Sequence, residues 1–240
     1  MIAPDLLVTA PRAETERLHV GGFVRLSAVD WPGQLTAVVF CQGCGWRCGY
    51  CHNPHLIPIT PAPNAVAWKD VLFFLTRRRG LLDGVVFSGG EPTLQPGLAA
   101  AVTAVRALGF KVGLHTGGPI PETLRSLLPI FDWVGFDFKA PYDHYVRVTG
   151  HDHGTRARES LRHLLASGVA YEIRTTWHPR LLSDSDLGAM ARTLRESGCT
   201  NWIIQRFRPD GCVDAGLREE SIGDVPLDLV CVPGLRVSVR

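Results

Sequence analysis

Residues 41–54 read Cys41-Gln-Gly-Cys44-Gly-Trp-Arg-Cys48-Gly-Tyr-Cys51-His-Asn-Pro and directly follow an apolar run, Leu35–Cys41, that we predict to be a β-strand. Four cysteines within eleven residues, separated by glycines that let the backbone wrap tightly, reach one compact centre. A zinc ribbon instead joins two Cys-x-x-Cys pairs about 15–20 residues apart. The segment therefore predicts an iron–sulfur site in a loop between a strand and a helix. A bacterial ferredoxin run has a different spacing and a following proline, so plain electron transfer is the weaker interpretation.

The composition is that of a globular protein with a complete core, because 45% of the 240 residues are hydrophobic and 20% are charged. We expect a single domain over residues 1–240. A formal net charge of +2 is too small to favour nucleic acid as a partner. No apolar run approaches the roughly 18 residues of a membrane span, and Pro4 and Asp5 interrupt the apolar start of the chain, which argues against an export signal. We expect a cytoplasmic protein that binds neither nucleic acid nor membranes.

Short apolar runs alternate with longer amphipathic runs after residue 34, which is the pattern of repeated βα units around a parallel sheet. The predicted strands are Leu35–Cys41, Gly84–Phe87, Lys111–Leu114, Trp133–Asp137, Tyr171–Thr176 and Asn201–Gln205. The predicted helices are Ala65–Arg79, Gly97–Leu108, Pro121–Leu128, Thr155–Ser167 and Ser183–Ser197. Short strands are also predicted near the two ends of the chain, at His19–Leu26 and Leu235–Arg240. Periodicity alone fits either a partial (βα) barrel or a doubly wound sheet.

Polar residues follow five of the predicted strands. The second strand is followed by Ser88-Gly89-Gly90-Glu91-Pro92-Thr93, in which the paired glycines let a ligand approach the backbone closely. The other polar segments are the cysteine segment after the first strand, His115-Thr116 after the third, Asp137 and Lys139 after the fourth, and Arg174 with His178 around the fifth. Because the carboxyl ends of barrel strands surround one mouth, we expect these residues to share a site.

The spacing Cys44-x3-Cys48-x2-Cys51, with the aromatic Tyr50 before the last cysteine, resembles the signature of the radical S-adenosylmethionine (SAM) superfamily. The resemblance implies that these three thiolates hold a 4Fe-4S cluster whose fourth iron stays open for SAM. A fourth protein ligand would block that iron, so Cys41 is implied not to be a ligand. The Gly-Gly-Glu-Pro stretch would hold the methionine amino group of SAM.

Longer stretches of the sequence restrict the resemblance to one branch of the superfamily. Cys51–Pro54, Gly90–Gln95 and Asp137–Pro141 look like the corresponding stretches of the glycyl-radical-enzyme activases. Gly22–Ser27, Asp30–Gly33 and the whole of Cys41–Pro54 are similar, more narrowly, to the anaerobic ribonucleoside-triphosphate reductase activating proteins.

The resemblance also implies roles for single residues. In the related activases an Asp-x-Lys stretch after the fourth strand binds the SAM carboxylate, which implies that role for Lys139, with Asp137 near it. Pyruvate formate-lyase activating enzymes carry an Asp-Thr pair after the third strand; here His115 precedes Thr116, so a monovalent-cation site stays undecided. The residues expected to bind SAM are Tyr50, Ser88, Gly89, Gly90, Glu91, Thr116, Asp137, Lys139, Arg174 and His178.

Fold and function follow from the same resemblance. It implies a partial (βα)6 barrel, similar to a TIM barrel, with a core at about residues 34–206. It implies that a flavodoxin-like or ferredoxin-like donor reduces the cluster, that SAM is cleaved to methionine and a 5′-deoxyadenosyl radical, and that the radical takes hydrogen from a glycine of a partner glycyl radical enzyme. The narrowest expectation for that partner is an anaerobic ribonucleotide reductase.

Two alternatives stay open from the sequence. One is a radical SAM enzyme that acts on a small molecule. The other is a non-catalytic iron–sulfur electron carrier, which predicts Cys41 as a fourth ligand and no affinity for SAM. The remaining cysteines, Cys199, Cys212 and Cys231, are too far apart to form a second cluster motif, and we interpret them as core or surface thiols.

Overall fold

A computed structural model describes residues 17–61, 63, 65–220 and 222–240. The described residues contain one eight-stranded sheet whose strands follow one another in chain order. The strands are β1 (Val20–Ser27), β2 (Thr36–Cys41), β3 (Gly84–Gly89), β4 (Lys111–Thr116), β5 (Trp133–Asp137), β6 (Ala170–Trp177), β7 (Asn201–Arg206) and β8 (Arg236–Val239). β1 runs antiparallel to β2, and every later pair is parallel. The prediction that the first ten residues carry no export signal concerns a segment outside the described part of the chain.

The strand order decides between the two closures that periodicity left open. A doubly wound sheet reverses its strand order at a switch point, whereas β2 to β7 simply follow one another. Among the described residues β1 does not pair with β8, so the barrel is open on that side. The expected partial (βα)6 barrel is therefore confirmed, with β1 and β8 added at its two edges, where the end strands were predicted.

Helices connect the parallel strands as expected. They are α1 (Trp68–Thr76), α2 (Leu98–Ala107), α3 (Pro121–Leu127), α4 (Tyr145–Thr149), α5 (Gly154–Ser167), α6 (Asp184–Glu196) and α7 (Ala215–Glu219). Ser183 precedes α6 as its N-cap and forms a capping box with Asp186. The Ser183 hydroxyl accepts from the Asp186 amide, and the Asp186 carboxylate accepts from the Ser183 amide. The five-residue helices α4 and α7 were not predicted. No helix in the described ranges is long and apolar enough to span a bilayer.

The amino-terminal end of the barrel is filled by the turn between β1 and β2. The indole of Trp31 stacks on Trp133 with ring centroids 5.5 Å apart. Its ring also lies against Gly84 and Gly113, where an added Cβ would come within about 3 Å of the indole. These glycines are therefore needed for the close approach of the ring. Because this end is packed with side chains, open space remains at the carboxyl ends of the strands.

Candidate functional site

A cavity of about 550 Å³ lies at the carboxyl ends of the strands, a volume typical of small-molecule sites. It brings together twelve of the thirteen residues that the sequence singled out as cluster or SAM ligands. They are Cys44, Cys48, Tyr50, Cys51, Ser88, Gly89, Gly90, Glu91, Thr116, Asp137, Lys139 and Arg174.

The cysteine loop that follows β2 is held by contacts with distant parts of the chain. The Arg47 amide donates to the Thr149 carbonyl at 2.8 Å, which docks the loop on α4. The Trp46 indole N–H donates to Nδ1 of His153 at 2.8 Å. The same indole lies where a Cβ on Gly117 would be, so the glycine after β4 makes room for it. Loop and barrel are thus packed directly against each other.

The Gly-Gly-Glu segment after β3 lies against the cysteine loop. Gly89 has a φ of 110°, and an added Cβ there would lie 2.5 Å from the Cys41 amide nitrogen. A Cβ on Gly90 would clash with the Gly43 carbonyl oxygen, and the amide of Glu91 donates to that same oxygen at 2.9 Å. The paired glycines are required for this close approach, which places both motifs at one edge of the cavity.

Glu91 ties the ends of β3 and β4 together. One carboxylate oxygen, Oε1, accepts from the Thr93 hydroxyl at 2.6 Å, the Thr93 amide at 3.1 Å and the Thr116 hydroxyl at 2.7 Å. The other, Oε2, accepts from the Gly117 amide at 3.0 Å. Burial raises the pKa of Glu91, and these donors oppose that effect. A carboxylate oxygen accepts about two hydrogen bonds, so Oε2 retains room for one donor from a ligand.

We expect Thr116→Val to lower the free energy of unfolding by about 3 kcal/mol. The substitution removes one hydrogen-bond donor to the buried Glu91. It also removes the acceptor of the Gly118 amide, which donates to the Thr116 hydroxyl at 2.9 Å. Urea denaturation of the cluster-free protein under reducing conditions measures the change. The control is Thr103→Val on the exposed face of α2, for which we expect a change within about 0.5 kcal/mol. Equal losses in the two variants would contradict the role given to the Thr116–Glu91 contact.

Lys139 places a buried positive charge in the cavity. Its Nζ donates to the Tyr50 hydroxyl at 3.2 Å and lies 3.4 Å from Oδ2 of Asp137. The ammonium also lies over the rings of Trp46 and Tyr50, 5.6 and 5.4 Å from their centroids. Burial alone would lower the pKa of Lys139, but Tyr50, Asp137 and Cys48 together hold it well above its ordinary value. Lys139 is therefore charged at neutral pH.

Arg174 shares Asp137 with Lys139. The Arg174 guanidinium donates to Oδ1 of Asp137 through Nε at 3.1 Å and through Nη2 at 2.8 Å. Burial on its own would raise the pKa of Asp137, but Arg174 and Lys139 outweigh it and lower that pKa to about 2. Two buried cations and one carboxylate thus leave an excess of one positive charge at the ends of β5 and β6, which favours an anionic ligand group.

His115 is a neutral residue bonded through both ring nitrogens. Burial, and then the nearby Arg174 cation, lower its pKa to about 3. The ring lies 2.7 Å from the Asp30 carbonyl oxygen through Nε2 and 3.1 Å from the Ser88 hydroxyl through Nδ1. Because a carbonyl only accepts, Nε2 carries the proton and Nδ1 accepts from Ser88. His115 thus links the ends of β3 and β4 to the turn that fills the barrel.

His178 is the one expected SAM-binding residue that does not line the cavity. It is fully buried beside Phe207, with ring centroids 5.1 Å apart. Its Nδ1 accepts from the Arg180 amide at 3.1 Å, so Nε2 donates to the Leu217 carbonyl at 3.2 Å. Both nitrogens are used by the backbone, and His178 is corrected to a structural residue.

The sequence reasoning missed several polar residues that line the cavity beyond β6. Gln205 ends the predicted sixth strand, and Arg208 and Asp210 follow it; all three line the cavity, as does Thr176 at the end of β6. The rule that located the other residues, polar side chains after a parallel strand, applies equally here. The end of the sixth predicted strand therefore contributes polar residues to the cavity as the other five do.

Residues 38–194 match the family model of the radical SAM superfamily. The chain belongs to the radical SAM superfamily. It is 30% identical over 205 residues to a Methanocaldococcus jannaschii protein provisionally named as a glycyl-radical enzyme activating enzyme, covering 81% of this chain and 82% of that protein. It is 32% identical to the pyruvate formate-lyase-activating enzyme of Streptococcus mutans, covering 75% and 72% of the two chains.

Two solved structures share the fold at low sequence identity. QueE from Escherichia coli is 15% identical, with a TM-score of 0.54 that covers 97% of this chain and 99% of QueE. Streptococcus suis SuiB bound to S-adenosylmethionine is 15% identical, with a TM-score of 0.60 over 76% of this chain and 42% of SuiB. Family membership implies a 4Fe-4S cluster and SAM as cofactors of a radical SAM enzyme.

The donor set fits a polynuclear cluster better than a single metal ion. The thiols of Cys44, Cys48 and Cys51 are free, line the cavity and do not all lie within 4.8 Å of one another. Four thiolates around one tetrahedral ion, with metal–sulfur bonds of about 2.3 Å, would be about 3.8 Å apart. Burial raises the pKa of the Cys44 thiol to about 11 and raises that of Cys48 too, so ligation displaces protons.

Cys41 differs from the other three cysteines of the segment. It is the last residue of β2, is fully buried and does not line the cavity. Burial raises the pKa of its thiol, with a further contribution from the Glu91 carboxylate. A buried, protonated thiol outside the cavity lining is a core side chain.

The cavity also fits the amino-acid part of SAM. That part carries one ammonium and one carboxylate group. The remaining acceptor site on Oε2 of Glu91 suits the ammonium, and the excess positive charge of Lys139 and Arg174 over Asp137 suits the carboxylate. The two features line a single cavity: Glu91 follows β3, and Lys139 and Arg174 lie at the ends of β5 and β6, with β4 between them.

Proposed function

We propose that the protein is an activase that generates a glycyl radical on a partner enzyme. The observation that carries this proposal is the joining of the cysteine loop, the Gly-Gly-Glu segment and Lys139 in one cavity of a partial barrel that is open on one side. Two relatives that match much of the chain, from Methanocaldococcus jannaschii and Streptococcus mutans, support the same function by their names.

In this proposal Cys44, Cys48 and Cys51 are the complete set of protein ligands to the cluster. When bound, the cluster and SAM supply reductive cleavage of the S–C5′ bond and a 5′-deoxyadenosyl radical. The protein binds and orients both cofactors. Cys41 stays in the core of β2, which leaves one iron without a protein ligand.

The residues around the cavity bind the two ends of methionine in SAM. Lys139 binds the carboxylate of SAM. Asp137, which is itself held by Arg174, fixes the position of the Lys139 ammonium group. Glu91 accepts a hydrogen bond from the amino group through Oε2 while it keeps the ends of β3 and β4 together. Ser88, Gly89, Gly90, Thr116 and Tyr50 form the wall against which the methionine part lies. Preformed charges of this kind orient a substrate before reaction.

The open side of the cavity suits a partner that presents a loop. Arg208 and Asp210, which follow β7, line the cavity and are exposed, so the cavity reaches the surface at the carboxyl ends of the strands. A glycine in a loop of another protein has no side chain to obstruct its entry. A small-molecule enzyme normally encloses its substrate.

The partner we propose first is an anaerobic ribonucleotide reductase, from the resemblance of β1, of the Asp30–Gly33 turn and of the cysteine loop to its activating proteins. The named relatives include pyruvate formate-lyase-activating enzymes, so a pyruvate formate-lyase is the second partner to test. A flavodoxin-like or ferredoxin-like protein is the proposed electron donor.

The test mixes the reduced protein, SAM and each candidate glycyl radical enzyme of the host without oxygen. We expect electron paramagnetic resonance to show a glycine-centred doublet in one candidate, with one 5′-deoxyadenosine formed per radical. The control is Cys48→Ala, which should give neither product. Cleavage of SAM with no doublet in any candidate, while a small metabolite is consumed in step with 5′-deoxyadenosine, would replace the activase with the small-molecule alternative.

A further inference from the structure

Arg47 lies between two of the three proposed cluster ligands, and its side chain turns back onto their loop. The residue is exposed. Its Nη1 donates to the carbonyl oxygen of Cys44 at 3.0 Å and to that of Trp46 at 2.9 Å. Within the ranges that the structure describes, no carboxylate oxygen lies within the 4.0 Å of an ion pair with Arg47. Its charge is therefore directed at the cysteine loop itself.

Two consequences follow for a cluster held by this loop. First, one guanidinium nitrogen of Arg47 donates to two carbonyl oxygens of the turn, which restricts the backbone between Cys44 and Cys48. Second, a reduced cluster carries one more negative charge than an oxidised cluster, so a fixed positive charge beside a ligand stabilises the reduced form. Groups around the ligands, rather than the ligands alone, set the reduction potential of such centres.

We infer that Arg47 is a positioning residue that braces the cysteine loop and raises the reduction potential of the cluster. The inference rests on the proposed ligation by three cysteines and not on the identity of the partner. Iron content therefore tests the ligation, whereas the potential tests Arg47. Because Arg47 is exposed, its effect acts through a high effective dielectric, and we expect about a fivefold change in the equilibrium constant for one-electron reduction.

The experiment compares Arg47→Gln with Arg47→Lys in the reconstituted protein, by redox titration with mediators that supply the electron. We expect Arg47→Gln to lower the equilibrium constant for one-electron reduction of the cluster about fivefold. Arg47→Lys keeps the charge, and its change in the free energy of reduction should be less than half of that in Arg47→Gln. The difference between Gln and Lys variants should shrink in 1 M salt, where the screening length falls to about 3 Å.

Arg195 supplies a matched control. It lies in the last turn of α6, and its Nε donates to a backbone carbonyl, that of Pro233, at 2.9 Å. This end of α6 leads to the amino end of β7, whereas the cysteine loop follows the carboxyl end of β2, so Arg195 lies at the opposite end of the barrel. Arg195→Gln makes the same change in charge and should leave the potential unaltered.

Two results would overturn the inference: an unchanged potential in Arg47→Gln with a full complement of iron, or equal shifts in the Gln and Lys variants. If Arg47→Gln retains too little iron for titration, Gly45→Glu and Gly45→Gln replace it. Gly45 is exposed, and an added Cβ there meets no atom within 4 Å. We expect Gly45→Glu to be harder to reduce than Gly45→Gln, and equal potentials would overturn the electrostatic role of this turn.

Discussion

Iron and sulfide should fall to background in Cys44→Ala, Cys48→Ala and Cys51→Ala, whereas Cys41→Ala should retain a cluster. The three thiols line one cavity and supply every protein ligand in our account, so the loss of any one removes a ligand that no neighbour replaces. Cys41 is fully buried at the end of β2, outside the cavity lining. Iron and sulfide analysis of proteins reconstituted without oxygen, with the visible spectrum, measures the effect.

Cys231→Ala serves as a second control, because that thiol is exposed. We expect it to bind as much iron as the parent protein. A loss of iron in Cys41→Ala equal to the losses in the other three would indicate ligation by four thiolates. That result would favour the non-catalytic electron carrier over a radical SAM enzyme.

Lys139→Met should weaken SAM binding by about 100-fold without loss of iron. The ammonium of Lys139 is buried, charged and directed into the cavity by Tyr50 and Asp137. Removal of one partner from a desolvated charge pair costs about 2–5 kcal/mol, and each 1.4 kcal/mol is tenfold in affinity. Equilibrium binding of SAM to the reconstituted protein, with iron measured on the same samples, separates loss of the ligand from loss of the cluster.

Lys69→Met on the exposed surface of α1 is the matched control, and it should bind SAM as the parent does. An Arg174→Lys variant tests the supporting role of that residue, since a lysine cannot donate two hydrogen bonds to Asp137 through a planar fork. SAM affinity that is unaltered in Lys139→Met would remove Lys139 from the site, whatever the outcome at Arg174.

Short-range pattern was sufficient to predict most of the elements that build the site. β5 begins and ends where the apolar run Trp133–Asp137 does, and the remaining parallel strands of the core differ from their predicted bounds by one or two residues. The polar residues after these strands meet because the carboxyl ends of parallel strands lie at one edge. Closure of the sheet was not predictable from periodicity, since it depends on long-range packing such as that of Trp31 on Trp133.

The loop around the cysteines shows what the sequence could not provide. Its contacts reach α4, which has only five residues and too few turns for a periodic pattern, and His153, which lies 107 positions from Trp46. The prediction that His178 binds SAM was wrong for a related reason. Side chains of a strand alternate, and Arg174 and Thr176 both line the cavity. β6 ends at Trp177, so the alternation stops before His178, whose ring turns to the backbone of Leu217.

The most direct measurement follows the hydrogen atom that the activase would remove. The candidate glycyl radical enzyme is prepared with deuterium on the α-carbon of its glycines and mixed with the reduced protein and SAM without oxygen. Our account predicts one deuterium in the 5′-deoxyadenosine formed for each glycyl radical, and no deuterium when the label is on other residues of the partner. Unlabelled 5′-deoxyadenosine from every deuterated candidate, with SAM consumed, would contradict it.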